Sequence, residues 1–120
     1  MPRYILVTGG AGFIGSHICK ALSLSGMVPV AYDNLSTGHS DAVRWGPLIT
    51  ADIADHSMLR ATLSEFAPSH VIHCAANAYV GESVTDPRKY YRNNVAGSLT
   101  LLEACMDHHV EGLVFSSSCA

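Results

Sequence analysis

Charge is scarce in this 120-residue chain. Asp, Glu, Lys and Arg make up 14% of it, against roughly 25% in an average soluble domain. Strands covered on both faces give such a deficit; so does a surface that another part of the protein would cover. Lys and Arg form no cluster and the net charge is −3, so the footprint of a nucleic-acid binder is missing. No apolar run approaches the roughly 18–20 residues of a membrane span. The run Tyr4–Val7 is too short for a secretion signal and passes straight into glycines. Cys19, Cys74, Cys105 and Cys119 form no C-x-x-C pair; without a signal segment they read as reduced thiols, mostly small core residues. Repeats, low-complexity tracts and linkers are absent as well. What the chain does have is 48% hydrophobic residues, enough to exclude disorder. The expectation is one cytoplasmic domain over residues 1–120, with no nucleic-acid or membrane partner.

Short apolar runs alternate with amphipathic stretches. Tyr4–Val7 reads as a strand, and Ile14, Ile18 and Leu22 as one face of a helix over residues 12–25. Gly26 fits the position after that helix, where a left-handed backbone suits glycine. Val28–Tyr32 is a second strand with Pro29 an awkward guest. A polar loop, with one helical turn near Asp41–Val43, leads to a short strand at Leu48–Ala51. Asp55 or Ser57 can cap a helix carrying Met58, Leu59, Leu63 and Phe66, which Pro68 stops. His70–Cys74 is a fourth strand. Asp86-Pro87 starts a long helix with Tyr91, Val95, Leu99, Leu102 and Met106 on one face, and Leu113–Phe115 is a fifth strand. This alternation predicts an α/β fold: a doubly wound parallel sheet with helices on both faces and right-handed crossovers. The predicted strand order is the Rossmann-like 3-2-1-4-5.

The informative segment is Thr8-Gly9-Gly10-Ala11-Gly12-Phe13-Ile14-Gly15. It satisfies G-x-G-x-x-G from Gly10 and G-x-x-G-x-x-G from Gly9. It follows a strand and opens a helix, the context this motif requires. The first glycine allows the tight turn, Gly12 lets backbone approach a pyrophosphate, and Gly15 lets the helix pack closely on the sheet. Phosphates then meet free amides at the positive end of the helix. Asp33 ends the second strand, where a carboxylate can accept the hydroxyls of an adenosine ribose and would repel a 2′-phosphate. No Arg stands in Asn34-Leu35-Ser36 to host that phosphate, so NAD is favoured over NADP. The plain alternative is a glycine-rich turn beside a capping Asp. A kinase-type P-loop fails, because Ser16 and not Lys follows Gly15; a SAM or FAD site would use a related loop.

Other polar residues have simpler readings. His108-His109 sit next to each other on a helix and so face different ways. With no third ligand spaced nearby, they read as a solvated helix end, and no metal site is expected. Ser116–Ser118 form a strand-end loop, Glu82 and Glu103 cap or face solvent, and Cys74 is a small lining residue.

Beyond the glycine segment, Tyr32-Asp33-Asn34-Leu35, Asp52-Ile53, Val71-Ile72-His73-Cys74-Ala75-Ala76, Val80-Gly81-Glu82-Ser83, Tyr90-Tyr91-Arg92-Asn93-Asn94-Val95 and Phe115-Ser116-Ser117-Ser118 together resemble the extended short-chain dehydrogenase/reductases. Within these the match is to the UDP-glucose (UDP-galactose) 4-epimerases. The resemblance runs from residue 3 to the last residue. It implies NAD as cofactor, a UDP-sugar substrate, reversible hydride transfer through a 4-keto sugar, and a homodimer or higher self-association. By the same resemblance Gly9, Gly12, Phe13, Ile14 and Gly15 would hold the pyrophosphate. Asp33, Asn34, Leu35, Ser36, Thr37 and Gly38 would surround the ribose, and Asp52 and Ile53 would bracket adenine. Cys74, Ala75, Ala76 and Ala78 would line the cofactor, Asn93 would contact it, and Ser118 would match the catalytic Ser/Thr. Two departures stand out. Ala78 occupies a place where the pattern often has Lys, and none of the 5 tyrosines begins the family's Tyr-x-x-x-Lys. The chain therefore reads as a truncated, N-terminal cofactor-binding part, inactive alone. Sister readings are another nucleotide-sugar epimerase, a 4,6-dehydratase, a reductase, or a non-catalytic NAD-binding module.

Overall fold

In a computed structural model the described residues are 3–35, 40–53, 55–74 and 98–115. Strand β1 (Tyr4–Thr8) leads into helix α1 (Phe13–Leu24) and strand β2 (Val28–Asp33). A 3-10 turn at Ser40–Ala42 precedes β3 (Leu48–Thr50), followed by α2 (His56–Phe66) and β4 (His70–His73). Helical backbone at residues 98–107, here α3, precedes β5 (Gly112–Phe115). The strands form one sheet in the order β3-β2-β1-β4-β5, and every neighbouring pair is parallel. Both the alternation and the expected order hold.

Side chains alternate across each strand. Ile5, Val7 and Ala31 face α1 and meet Cys19, with Ile18 and Leu22 partly buried against them. Leu6, Val30, Tyr32 and Val71 face the opposite layer and meet Leu59 and Leu63 of α2 and Leu101, Ala104 and Cys105 of α3. Leu6, Val7, Val30 and Val71 are fully buried. A sheet covered on both faces has little room for charge, which accounts for part of the deficit in the sequence.

The helix ends follow local chemistry. Asp55 caps α2, its Oδ1 accepting the Met58 N–H at 3.1 Å. α1 closes with Gly26 N–H donating to Ser23 O and Met27 N–H to Leu22 O. Gly26 there has φ +86°, as its position in the sequence predicts. Pro29 is tolerated because N–H groups on β2 alternate in direction. Val28 donates to Arg3 O on the β1 side, Ala31 to Pro47 O on the β3 side. Pro29 shares the direction of Ala31, and pairing with β3 begins only at Ala31.

The helix faces hold in part: Ile18 and Leu22 of α1 and Leu59, Leu63 and Phe66 of α2 pack on the core. In α1 the fully buried positions are Gly15 and Cys19. In α2, Leu59, Thr62 and Leu63 are buried and Met58 is exposed. In α3 the stripe expected from spacing is the outer one, as its expected part in self-association requires: Leu99, Leu102 and Met106 are exposed, and Leu101, Ala104 and Cys105 are buried. Both stripes of α3 have helical spacing. The stripe with small residues wins because it lets the helix come close to the sheet. Arg60–Asp107 at 2.7 Å and Ser64–His108 at 3.2 Å join α2 to α3 at the surface. Among the described residues no helix is long and apolar enough to cross a membrane.

Candidate nucleotide site at the carboxyl ends of β1, β2 and β4

The loop after β1 turns at Gly9, whose φ is +70°, a backbone that glycine takes without strain. Its N–H donates to Tyr32 O at 2.7 Å and its carbonyl accepts from Gly12 N–H at 3.0 Å. A Cβ on Gly10 would stand 2.6 Å from the Ala31 Cβ, and one on Gly15 would collide with the Gly9 carbonyl oxygen. The close approach to the sheet thus belongs to Gly10, while Gly15 packs on the loop itself. This corrects the role expected of Gly15. α1 starts at Gly12 with no side chain capping it, so its first amides are free of a competing side-chain oxygen. The Phe13 side chain is exposed and Ile14 is half-buried.

Asp33 is 8% exposed. Its Oδ2 accepts the Ala11 N–H at 3.0 Å and its Oδ1 the Leu35 N–H at 2.8 Å. The carboxylate therefore ties the glycine loop to the end of β2. An ionised carboxylate offers about four acceptor positions, so each oxygen keeps one for a further donor. Asn34 Nδ2 donates to Asp52 Oδ2 at 3.2 Å and the Tyr32 hydroxyl to Asp52 O at 2.9 Å, bringing the segment after β3 beside Asp33. Burial pushes the Tyr32 phenol up to about 12, with Asp55 and Asp52 adding to the effect. Ile53 is half-buried against the α2 side of the core.

Between β1 and β4 lies a polar pair that sequence reasoning missed. Thr8 Oγ1 and His73 Nδ1 are 2.6 Å apart and buried. Cys74 N–H donates to both Thr8 Oγ1 and Thr8 O, each at 3.0 Å. The Phe115 ring meets the His73 ring edge-on at 5.4 Å. Burial lowers the His73 pKa to about 4. One signal was available: His73 is a polar residue at an inward register of an apolar strand. Cys74 itself is half-buried.

Gly9, Gly12, Phe13, Ile14, Gly15, Asp33, Asn34, Leu35, Asp52, Ile53 and Cys74 are thus described. All of them follow or end β1, β2, β3 or β4, at the carboxyl edge of the sheet. Ser36, Thr37, Gly38, Ala75, Ala76, Ala78, Asn93 and Ser118 lie outside the described residues. Among the described residues no group of three or more His, Cys, Asp or Glu could hold a metal ion.

A parallel sheet in this order, with a glycine loop, an uncapped helix start and a buried carboxylate at its carboxyl edge, defines a Rossmann-like domain. The chain belongs to the NAD dependent epimerase/dehydratase family, which matches residues 5–120. It is 51% identical over 116 residues to a UDP-glucose 4-epimerase of Rhizobium meliloti (strain 1021), covering 97% of this chain and 35% of that protein. A probable UDP-arabinose 4-epimerase of Arabidopsis thaliana is 43% identical over 127 residues, with coverage of 98% and 31%. The crystal structure of UDP-glucose 4-epimerase from Brucella ovis in complex with NAD superposes with a TM-score of 0.93 at 57% identity, covering 98% of this chain and 36% of that one. The chain thus spans about a third of the length of these relatives.

Proposed function

We propose that this chain is the NAD-binding part of a UDP-glucose 4-epimerase-like enzyme, which interconverts UDP-glucose and UDP-galactose through a 4-keto sugar. One observation carries the reading: a buried Asp33 carboxylate, fixed by two backbone N–H groups, beside a glycine loop and a helix start without a side-chain cap. The fit to NAD is good. The uncapped first turn of α1 supplies N–H donors for a pyrophosphate, and Gly10 and Gly15 keep the loop free of Cβ atoms that would crowd it. Asp33 has acceptor positions left for two ribose hydroxyls and repels a 2′-phosphate. In this reading Asp52, steadied by Asn34, takes the adenine amine, with Ile53 beside it. Ser36, Thr37, Gly38, Cys74, Ala75, Ala76, Ala78 and Asn93 complete the cofactor contacts in this proposal, and Ser118 holds the sugar's 4-oxygen. NAD, when bound, supplies a reversible hydride acceptor.

The chain contains no Tyr-x-x-x-Lys to take the proton of the 4-hydroxyl. Loss of a general acid/base costs about 10²–10⁴-fold on its own. Residues 1–120 should therefore act as one binding domain, inactive alone, cytoplasmic, with buried thiols at Cys19 and Cys105. The relatedness to a UDP-arabinose 4-epimerase favours, as second reading, a 4-epimerase of another nucleotide sugar. The test is a pair of assays on the chain itself. NAD should raise the melting temperature in a concentration-dependent way, and a coupled assay should find no conversion of UDP-galactose. No shift at millimolar NAD, or turnover within tenfold of a longer relative, would overturn the reading.

A further inference from the structure

His73 is a buried titratable group that the proposed chemistry leaves unused. It stands where β1 and β4 part. Thr8 is the last residue of β1 and the glycine loop begins at the next residue. His73 is the last residue of β4, and Cys74 opens the segment after it. Ligands of doubly wound sheets bind where neighbouring strands lead off in opposite directions, and in this strand order that is between β1 and β4. The geometry points to Thr8 and His73 as a positioning pair: the Thr8 hydroxyl donates to His73 Nδ1 and thereby fixes the glycine loop relative to Cys74 at the end of β4. The inference rests on the NAD-binding reading of the site.

The contacts and the burial of the pair support it. The Oγ1–Nδ1 distance of 2.6 Å is that of a close hydrogen bond. With the hydroxyl as donor, the imidazole proton sits on Nε2. The same Oγ1 accepts the Cys74 N–H, so one side chain of β1 holds both the ring and the backbone at the end of β4. The ring is in turn held edge-on by Phe115 of β5. Thr8 is fully buried and His73 is 5% exposed, so water does not compete at close range. Burial also keeps the ring neutral by disfavouring the imidazolium, and only the neutral ring can accept at Nδ1.

The experiment combines nitrogen-15 NMR of the His73 ring with calorimetric titration of NAD into the 120-residue chain and its variants. The spectrum should show Nδ1 without a proton and Nε2 protonated. Thr8→Val and His73→Phe should each weaken NAD binding at least fivefold, and the double variant should lose no more than the worse single one, as members of one unit do. Thr8→Ser keeps the hydroxyl and His73→Asn keeps an acceptor near Nδ1; both should bind within twofold of the unmodified chain. A proton on Nδ1, a Thr8→Val chain that binds NAD normally, or losses that multiply in the double variant overturn the pairing. If variants fail to fold, the spectrum of the unmodified chain decides. If that chain takes up no NAD, the NAD reading falls and the spectrum still decides the hydrogen bond.

Discussion

Each oxygen of the Asp33 carboxylate accepts one backbone N–H, from Ala11 on one side and Leu35 on the other. Its removal acts on the fold as well as on cofactor choice. Asp33→Ala leaves two backbone donors without their acceptor and should lower stability by about 1–3 kcal/mol, read by urea denaturation, while narrowing the preference for NAD over NADP. Asp33→Asn keeps one acceptor and should cost less. His73 gives the second residue-scale expectation. Burial lowers its pKa to about 4 in the native chain, from the ordinary imidazole value of 6.5 that the unfolded chain has. Above pH 6.5 neither state binds the proton. Between 6.5 and 4 the unfolded chain takes up a proton that the native one refuses, so stability falls with acid, by about 3 kcal/mol across the window. Denaturation midpoints at a series of pH values should show this slope, and His73→Phe should flatten it. Asp33 and the glycines were legible in the sequence because their meaning lies in local spacing at the end of a strand. Thr8 and His73 were not, because their bond joins residues far apart in the chain, each within an apolar run.

The strands could be read from the sequence nearly to the residue because short runs such as Tyr4–Val7 end in glycine or polar residues and leave little choice of boundary. Helix existence was equally legible, through the Asp55 cap and through Gly26 after α1. The faces were less so. Leu99, Leu102 and Met106 make as good a stripe as Leu101, Ala104 and Cys105; periodicity cannot choose between them, and the sheet chooses the smaller side chains. Adjacent leucines of α3 separate the two possibilities cleanly. Leu101→Ala removes a fully buried side chain and should cost about 2–5 kcal/mol. Leu102→Ala trims one that is 42% exposed and should cost well under half as much in the same thermal or urea melt.

Over the whole molecule, the shortage of charge has two sources. One is the sheet, whose central strands are covered on both faces. The other is the outer stripe of α3, where Leu99, Leu102 and Met106 face solvent alongside the exposed Val114 and Phe115 of β5. Exposed apolar surface of this kind favours association. We expect the chain to be a dimer or larger by light scattering, and Leu102→Glu with Met106→Glu to shift it toward monomer with little change in melting temperature. An unmodified chain that stays a monomer at high concentration would contradict this. The central claim concerns the carboxyl edge of the sheet, where the glycine loop, the start of α1 and Asp33 meet. Its most direct test is calorimetric titration of the 120-residue chain with NAD and with NADP under identical conditions. A buried carboxylate beside a 2′-phosphate is costly unless neutralised, so NAD should bind at least tenfold more tightly. NADP binding as tight as NAD, or no binding of either, would contradict the account.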